Sequence, residues 1–497
     1  MKPRILFWYG MDFTPFCLSY QMKKMMDFDA YAISEVPEKP EEFFKHQNLV
    51  SLKNIWFFHE NIQTNLEPDM EYLASFEKKF SVDLWKLALN ERIFLYYDFF
   101  HKFSKNEILS IIESECRFFE KILDEIKPDI FITKTPSLHH LELFSHMCRE
   151  KKINVITLSL ANFYGRTILT NNPSKFDTWN EKLKKFDPTD DDLFNILQEY
   201  LKSNRVATQI GIMTKTPNFA SKLKYIFELI FSKDSDHESM YTYYGRTKSK
   251  IFLFYTLEYI LTSLRGKFID THLTKNPDLN RSFVFFPLHT EIERQLLISA
   301  PFYTNQIELV KTIAKSLPVD HWLFVKEHPF QKTRAWRNPN LYKELLKIPN
   351  VQLIHPDYDS FHLYENCSLT ITVSGTSGLE SLFYKKPVIA FGEINYDNIP
   401  SVTIISNIND LPNVIKSSLN KTVDPNDLNT FIANFEKNSS SFNQPLFLDK
   451  FSHQFLSGGQ SINYKISDTK IEKFLENEHN ELEILAHDVI EKIKSKI

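Results

Sequence analysis

Residues 127–160, KPDIFITKTPSLHHLELFSHMCREKKINVITLSL, decide the fold class. Two runs rich in apolar and β-branched residues, IFITKT and INVITLSL, flank one stretch whose apolar positions recur at helical spacing. Pro128 closes the amphipathic helix that precedes them, because proline and the residue before it leave helical geometry. Strand, helix, strand with two buried runs specifies a parallel, doubly wound sheet. Toward the N-terminus, ILFWY at 5–9 ends at Gly10 and reads as a buried first strand whose loop, 11–15, opens on a ligand cleft. Residues 1–175 are therefore expected to form one Rossmann-like domain.

The same alternation resumes at 282. SFVFFPL, HWLFVKE, VQLI, LTITVS and PVIAFG read as strands, with helices near 303–316, 340–347, 360–366 and 377–384, and they define a second parallel-sheet domain over 281–420. Residues 176–280 read as a helical insertion. It opens at DPTDDDL (187–193), where Thr189 can cap and the aspartates suit a positive helix end. Within it, 221–273 mixes apolar stripes with Lys222, Lys224, Lys248, Lys250, Arg265 and Lys267, a pattern for packing on the protein ahead of one for an anionic membrane surface. Residues 421–497 read as a helical tail.

Composition narrows the function. With 42% hydrophobic and 25% charged residues over 497 positions, the chain is an ordinary globular one of two domains. A net charge of −4 supplies no basic footprint, so nucleic acid is not expected as a partner. The cysteines at 17, 116, 148 and 367 show neither disulfide nor zinc-ligand spacing. The apolar segment after MKPR is too short for a signal sequence, so export is not expected, and IFLFYTLEYIL at 251–261 is too short to span a bilayer. A cytoplasmic protein is expected, with peripheral contact at the inner membrane face or with export machinery.

Three motifs carry chemistry, each just after an apolar strand, on the side of such sheets where ligands collect. In VSGTSGLE (373–380), Gly375 and Gly378 permit close backbone approach. Ser374, Thr376 and Ser377 offer hydroxyls, the N–H groups of the helix start favour a phosphate, and Glu380 can accept from ribose hydroxyls. The alternative is a well-capped turn. In KEHP (326–329), Lys326, Glu327 and His328 leave the strand together and Pro329 fixes the loop that presents the imidazole. In PLHTEIE (287–293), His289 and Glu293 are candidate general bases, while Glu291 suits either the site or a helix start.

The order PLHTEIE, VKEHP, PNVQLI (349–354), SGTSGLES (374–381) and KKPVIAFG (385–392) resembles the capsule polysaccharide biosynthesis family, including its Kdo-transferase-like members. The resemblance is close over 282–400 and weaker over the N-terminal half, where KPDIFIT and GRTILT (165–170) occupy similar places. It implies a GT-B fold: two Rossmann-like domains facing a cleft, with a nucleotide sugar in the C-terminal domain and an oligosaccharide or lipid-linked glycan acceptor in the N-terminal one. It also implies that His328 and Ser374 to Ser377 hold the phosphate, with Glu327 and Glu380 near base or ribose. The histidine-proline and hydroxyl arrangement is further similar to bacterial sialyltransferases and glycerol-phosphate polymerases, which implies a CMP-activated sugar.

The resemblance implies an acceptor base from the N-terminal domain. Asp12 is the natural candidate there, against a turn-forming role beside Thr14 and Pro15. His139 and His140 are further candidates, against partly exposed structural histidines. Arg166 suits a carboxylate or other anion through a bidentate pair, against a surface ion pair. No cofactor and no metal is called for: Asp357 and Asp359 imitate a metal motif, but Asp359 reads as a helix cap, and phosphate charge is balanced by the helix start, His328 and Lys326. Three functions follow in order: a metal-independent glycosyltransferase, a nucleotide-sugar epimerase of the same fold, and a non-catalytic partner in polysaccharide assembly.

Overall fold

A computed structural model describes residues 2–64, 67–163, 165–190, 192–204, 240–456 and 464–495. The chain divides into two compact units: Met1–Pro173 with Asn204–Ile251 and Glu436–Ile497, and Ser174–Ser203 with Phe252–Phe435.

The first unit is built on β1 (Arg4–Tyr9), β2 (Asp29–Ser34), β3 (Leu52–Phe57), β4 (Ile130–Lys134), β5 (Asn154–Leu160), β6 (Thr167–Thr170) and β13 (Ser439–Ser440), ordered β13-β6-β5-β4-β1-β2-β3. Strands β1 to β5 run parallel, and β6 turns back antiparallel. The apolar run of β1 is buried on both faces: Ile5, Phe7 and Tyr9 enter one core, Leu6 and Trp8 the other. Helix Lys105–Ile126 is set by a Ser104/Glu107 capping box and ended by Lys127 in a left-handed conformation ahead of Pro128.

The second unit holds β7 (Phe283–Pro287), β8 (Trp322–Lys326), β9 (Val351–Ile354), β10 (Leu369–Thr372), β11 (Val388–Ala390) and β12 (Val402–Ile404), all parallel, ordered β12-β11-β10-β7-β8-β9. This is the dinucleotide-fold order, and its direction of winding reverses between β7 and β10.

Four expectations change. Residues 176–280 do not form one insertion: their described parts are shared between the units, and 205–239, including Lys222 and Lys224, lie outside the described residues. The last part of the tail, from Glu436, belongs to the first unit rather than forming an extension: Leu482, Leu485, Ala486, Val489, Ile490 and Ile493 of helix His479–Lys494 join the core that contains Phe16 and Cys17. A short apolar stripe at the chain's end has no sequence signal for which distant sheet it covers. Thr189 does not cap a helix; Asp187 Oδ1 accepts from Thr189 N (3.0 Å) and Oγ1 (2.8 Å), and the helix starts at Leu193.

Helix Lys248–His272 buries only Ile269, and Phe252 and Tyr259 are 72% and 79% exposed, against the expectation of packing. No helix among the described residues is long and apolar enough to cross a membrane.

Leu485→Ala is expected to cost about 2–5 kcal/mol through a core cavity, while neighbouring Ile484, partly exposed, changes stability by less than about 0.5 kcal/mol when made alanine. Thermal unfolding of the two variants measures the difference.

Candidate functional site

At the carboxyl edge of the second sheet, the loops after β10, β7 and β8 lie side by side at the reversal point. His289 and Thr290, after β7, tie the other two together. Ser374 N donates to His289 Nε2 (3.1 Å), so the ring proton resides on Nδ1. Thr290 Oγ1 lies 3.0 Å from His328 Nδ1, which also accepts from Phe330 N (3.2 Å), so His328 carries its proton on Nε2.

Beneath these loops sits Arg337, which sequence reasoning missed. Its guanidinium is buried and reaches two loops at once: Nε donates to Glu327 Oε2 (2.7 Å) after β8, while Nη1 donates to Glu291 Oε1 (2.8 Å) and Nη2 to the His289 carbonyl after β7. Glu327 also accepts from Tyr342 Oη (2.6 Å) and His328 N (2.6 Å). Ala335 and Trp336 adopt φ of 56° and 58°, a costly left-handed pair that turns the chain just ahead of this arginine. Two arginines, Arg334 and Arg337, stand in TRAWRNP, and no spacing signal tells which one is buried.

The candidate residues therefore separate. Glu327 is not free for base or ribose; it is the buried counter-ion of Arg337. His289 is not a general base: burial, then the charges of His328 and Arg337, push it down to about 3, and its Nε2 is engaged by Ser374. Ser374 donates its hydroxyl to the Gln295 carbonyl (2.8 Å). The two glycines serve packing, since a Cβ on Gly375 would stand 2.5 Å from His289 Cε1 and one on Gly378 2.4 Å from Tyr396 Oη. Glu380 follows inside helix Thr376–Leu382. Lys326 ends β8, buried, with its carbonyl accepting from Leu288 N (2.9 Å). Glu293 precedes the short helix Arg294–Leu297, beside Ile292 at φ 65°. Asp359 caps helix Ser360–Asn366 through Phe361 N (3.0 Å).

His328, Thr376 and Ser377 remain. Burial pushes His328 down to about 4 although Glu327 opposes it, so it is neutral at physiological pH. Among the described residues its Nε2 has no partner, nor have the hydroxyls of Thr376 and Ser377.

In the first unit Asp12 lies beyond β1, next to β4, where that sheet also reverses. Its Oδ1 accepts from Thr14 N (3.0 Å) and its Oδ2 stands 3.8 Å from Lys134 Nζ. Arg166 is not an anion clamp: Nε donates to Ser439 Oγ (2.8 Å) and Nη2 to the carbonyls of Glu436 and Ser439 (both 3.1 Å), fastening β13 to β6. His139 and His140 are fully buried rather than partly exposed.

Two Rossmann-like units in one chain are the domain content of the GT-B class. Residues 196–414 match the family described as Capsule polysaccharide biosynthesis protein, the family that the motifs of 282–400 resemble. No curated protein matches the sequence. Among solved structures, similarity extends to UDP-GlcNAc 2-epimerase from Methanocaldococcus jannaschii (14% identity, 85% of this chain and 94% of that one, TM-score 0.23). It extends also to Thermosulfurimonas dismutans KpsC, beta Kdo 2,7 transferase (12%, 71% and 87%, 0.30) and to the S. aureus MnaA-UDP co-structure (13%, 94% and 100%, 0.25). Scores this low transfer neither activity nor site residues.

Arg337→Met leaves Glu327 buried without its counter-charge, an expected loss of about 3–5 kcal/mol and a fall in Tm on the order of 10 °C for a unit of this size. The pH dependence has a definite sign. His289 and His328 stay neutral when folded but titrate near 6.5 when unfolded, so below that pH the unfolded chain binds protons that the folded one does not. Stability therefore falls as pH drops from 6.5 toward 4, and His289→Gln, followed by calorimetry across that range, should flatten the slope.

Proposed function

We propose that the chain is a glycosyltransferase of capsule or surface polysaccharide synthesis whose second unit holds the phosphate of a nucleotide sugar, with a CMP-sugar as donor. The observation that carries this reading is the pre-set His328: its Nδ1 is occupied by Phe330 N and Thr290, so a single N–H donor is left on Nε2 at the carboxyl edge of the sheet. Thr376 and Ser377 open the helix Thr376–Leu382, just after Ser374, which is joined to the same His289–Thr290 bridge. A neutral imidazole and two hydroxyls bind a phosphate by directed hydrogen bonds, and negative charge arriving beside His328 raises its proton affinity. The family match over 196–414 supports polysaccharide synthesis as the setting, and the likeness of the histidine-proline loop to sialyltransferases supports cytidine.

The reaction moves the sugar from phosphate to an acceptor hydroxyl. The anomeric carbon–phosphate oxygen bond breaks, the acceptor oxygen bonds to that carbon, and the hydroxyl proton passes to a carboxylate. Asp12 in the first unit and Glu293 in the second are the carboxylates assigned to that role, separable by Asp12→Asn and Glu293→Gln.

The test is thermal unfolding of the full chain with CMP, CDP, UDP or GDP. CMP is expected to raise Tm, and His328→Ala to abolish both that rise and transfer from a CMP-sugar. A rise with UDP alone, accompanied by isomerisation of a UDP-sugar without acceptor, overturns the transferase reading; no rise with any nucleotide overturns the site.

A further inference from the structure

The first unit contains a second cluster, entirely inside its core. Glu115 projects from helix Lys105–Ile126, and His139 and His140 open helix His139–Glu150; all three are buried. Each has one polar atom held by a neighbour. His139 Nδ1 lies 2.9 Å from Glu91 Oε2, and that carboxylate also accepts from His139 N (2.8 Å) and, through Oε1, from Ile93 N (2.9 Å). Tyr241 gives its one proton to Glu115 Oε1 (2.9 Å), so His140 Nδ1, 3.1 Å from the same phenol oxygen, must donate to it.

Both rings thus carry a proton on Nδ1. The atoms left over are His139 Nε2, His140 Nε2 and Glu115 Oε2, and each is a buried polar atom without a hydrogen-bond partner. Ligating atoms of these three residues lie within 4.8 Å of one another. His139 Nε2 stands 3.0 Å from Glu115 Oε2, and His140 Nε2 3.1 Å from Glu35 Oε1, at ion-pair distance but without hydrogen-bond alignment. Glu35 is itself held by Trp8 Nε1 (2.9 Å).

We propose that Glu115 Oε2, His139 Nε2 and His140 Nε2 ligate a zinc-class divalent cation in the core of the first unit, with Glu35 Oε1 adjacent for the fourth position. Two imidazoles with carboxylate oxygen are a borderline-metal donor set. A tetrahedral ion with bonds of about 2.1 Å needs ligand atoms about 3.4 Å apart, which the observed span allows. The outer contacts match what such ligands require, since His139 donates to a carboxylate and His140 to a phenol that is in turn fixed by Glu115. Charge agrees as well. Glu35, Glu91 and Glu115 place three carboxylates in the core, and one divalent cation with two neutral imidazoles supplies the same charge as two imidazoliums, while accepting lone pairs that otherwise meet no donor. With Glu115, His139 and His140 buried and Glu35 only partly exposed, the ion would be structural, fastening two helices and the end of β2, and the transfer reading above does not depend on it.

The test uses the untagged full chain, stripped with dipicolinate, desalted and titrated with ZnCl2 in a calorimeter, with metal content read by mass spectrometry. The expected result is one zinc per chain, a Tm raised by several degrees, and binding weakened more than tenfold in Glu115→Gln and His140→Ala. Should a ligand variant not fold, Tyr241→Phe, which leaves the ligands in place but frees Glu115 Oε1 and His140 Nδ1, is expected to weaken binding about 10–100-fold. A wild-type chain that takes up no stoichiometric zinc, or folded variants that bind it as tightly as wild type, would show that two imidazoliums fill the cluster and overturn the proposal.

Discussion

The second unit depends on one buried guanidinium. Arg337 joins the loop after β7, through the His289 carbonyl and Glu291, to the loop after β8, through Glu327. Glu327 in turn holds His328 N, so the arginine fixes the backbone from which the imidazole projects. A buried ion pair contributes little net stability over an apolar substitute, but loss of one partner is costly. Its value here is geometric: it holds three chain segments in register at the edge of a sheet where loops would otherwise be free to move.

That fixation decides what the site offers. His289 is engaged in holding Ser374, and Ser374 in holding Gln295, so the residues that look most chemical in the sequence form the frame. Among the described residues of these motifs, one imidazole N–H and two hydroxyls are left without partners. Because burial keeps His328 neutral, the loop presents a directed donor in place of a fixed charge, and under the proposed function selectivity for a phosphate would come from position.

The architecture was largely legible. Buried strands such as ILFWY and FVFFP, separated by amphipathic stretches, carry a period that survives any tertiary context, and five of the six parallel strands of the second sheet fall where alternation places them; the edge strand β12, three residues long, is too short to show a period. That the motifs lie beyond the carboxyl ends of their strands was legible too; which strands flank the reversal was not, because strand order has no local signal. What was not legible is long-range and polar. Nothing in TRAWRNP marks Arg337 as the partner of a glutamate ten residues earlier, and nothing in GRTILT shows Arg166 gripping a turn near residue 439. Likewise Glu115, His139 and His140 have no ligand spacing, since a helix start and a mid-helix position meet only through packing. Gly375 and Gly378 were read as room for a ligand, whereas their neighbours are His289 and Tyr396. Local sequence reports periodicity and turns well; it reports which side chain a buried charge will meet poorly.

The central claim is that His328 Nε2 donates to a nucleotide phosphate at the carboxyl edge of the second sheet. A crystal structure of the chain with CMP tests it most directly. The account predicts a phosphate oxygen within about 3 Å of His328 Nε2, with Thr376 or Ser377 on the same group and the Arg337 contacts unchanged. A nucleotide seated elsewhere, or a His328 ring turned so that Nδ1 faces the phosphate, would contradict it.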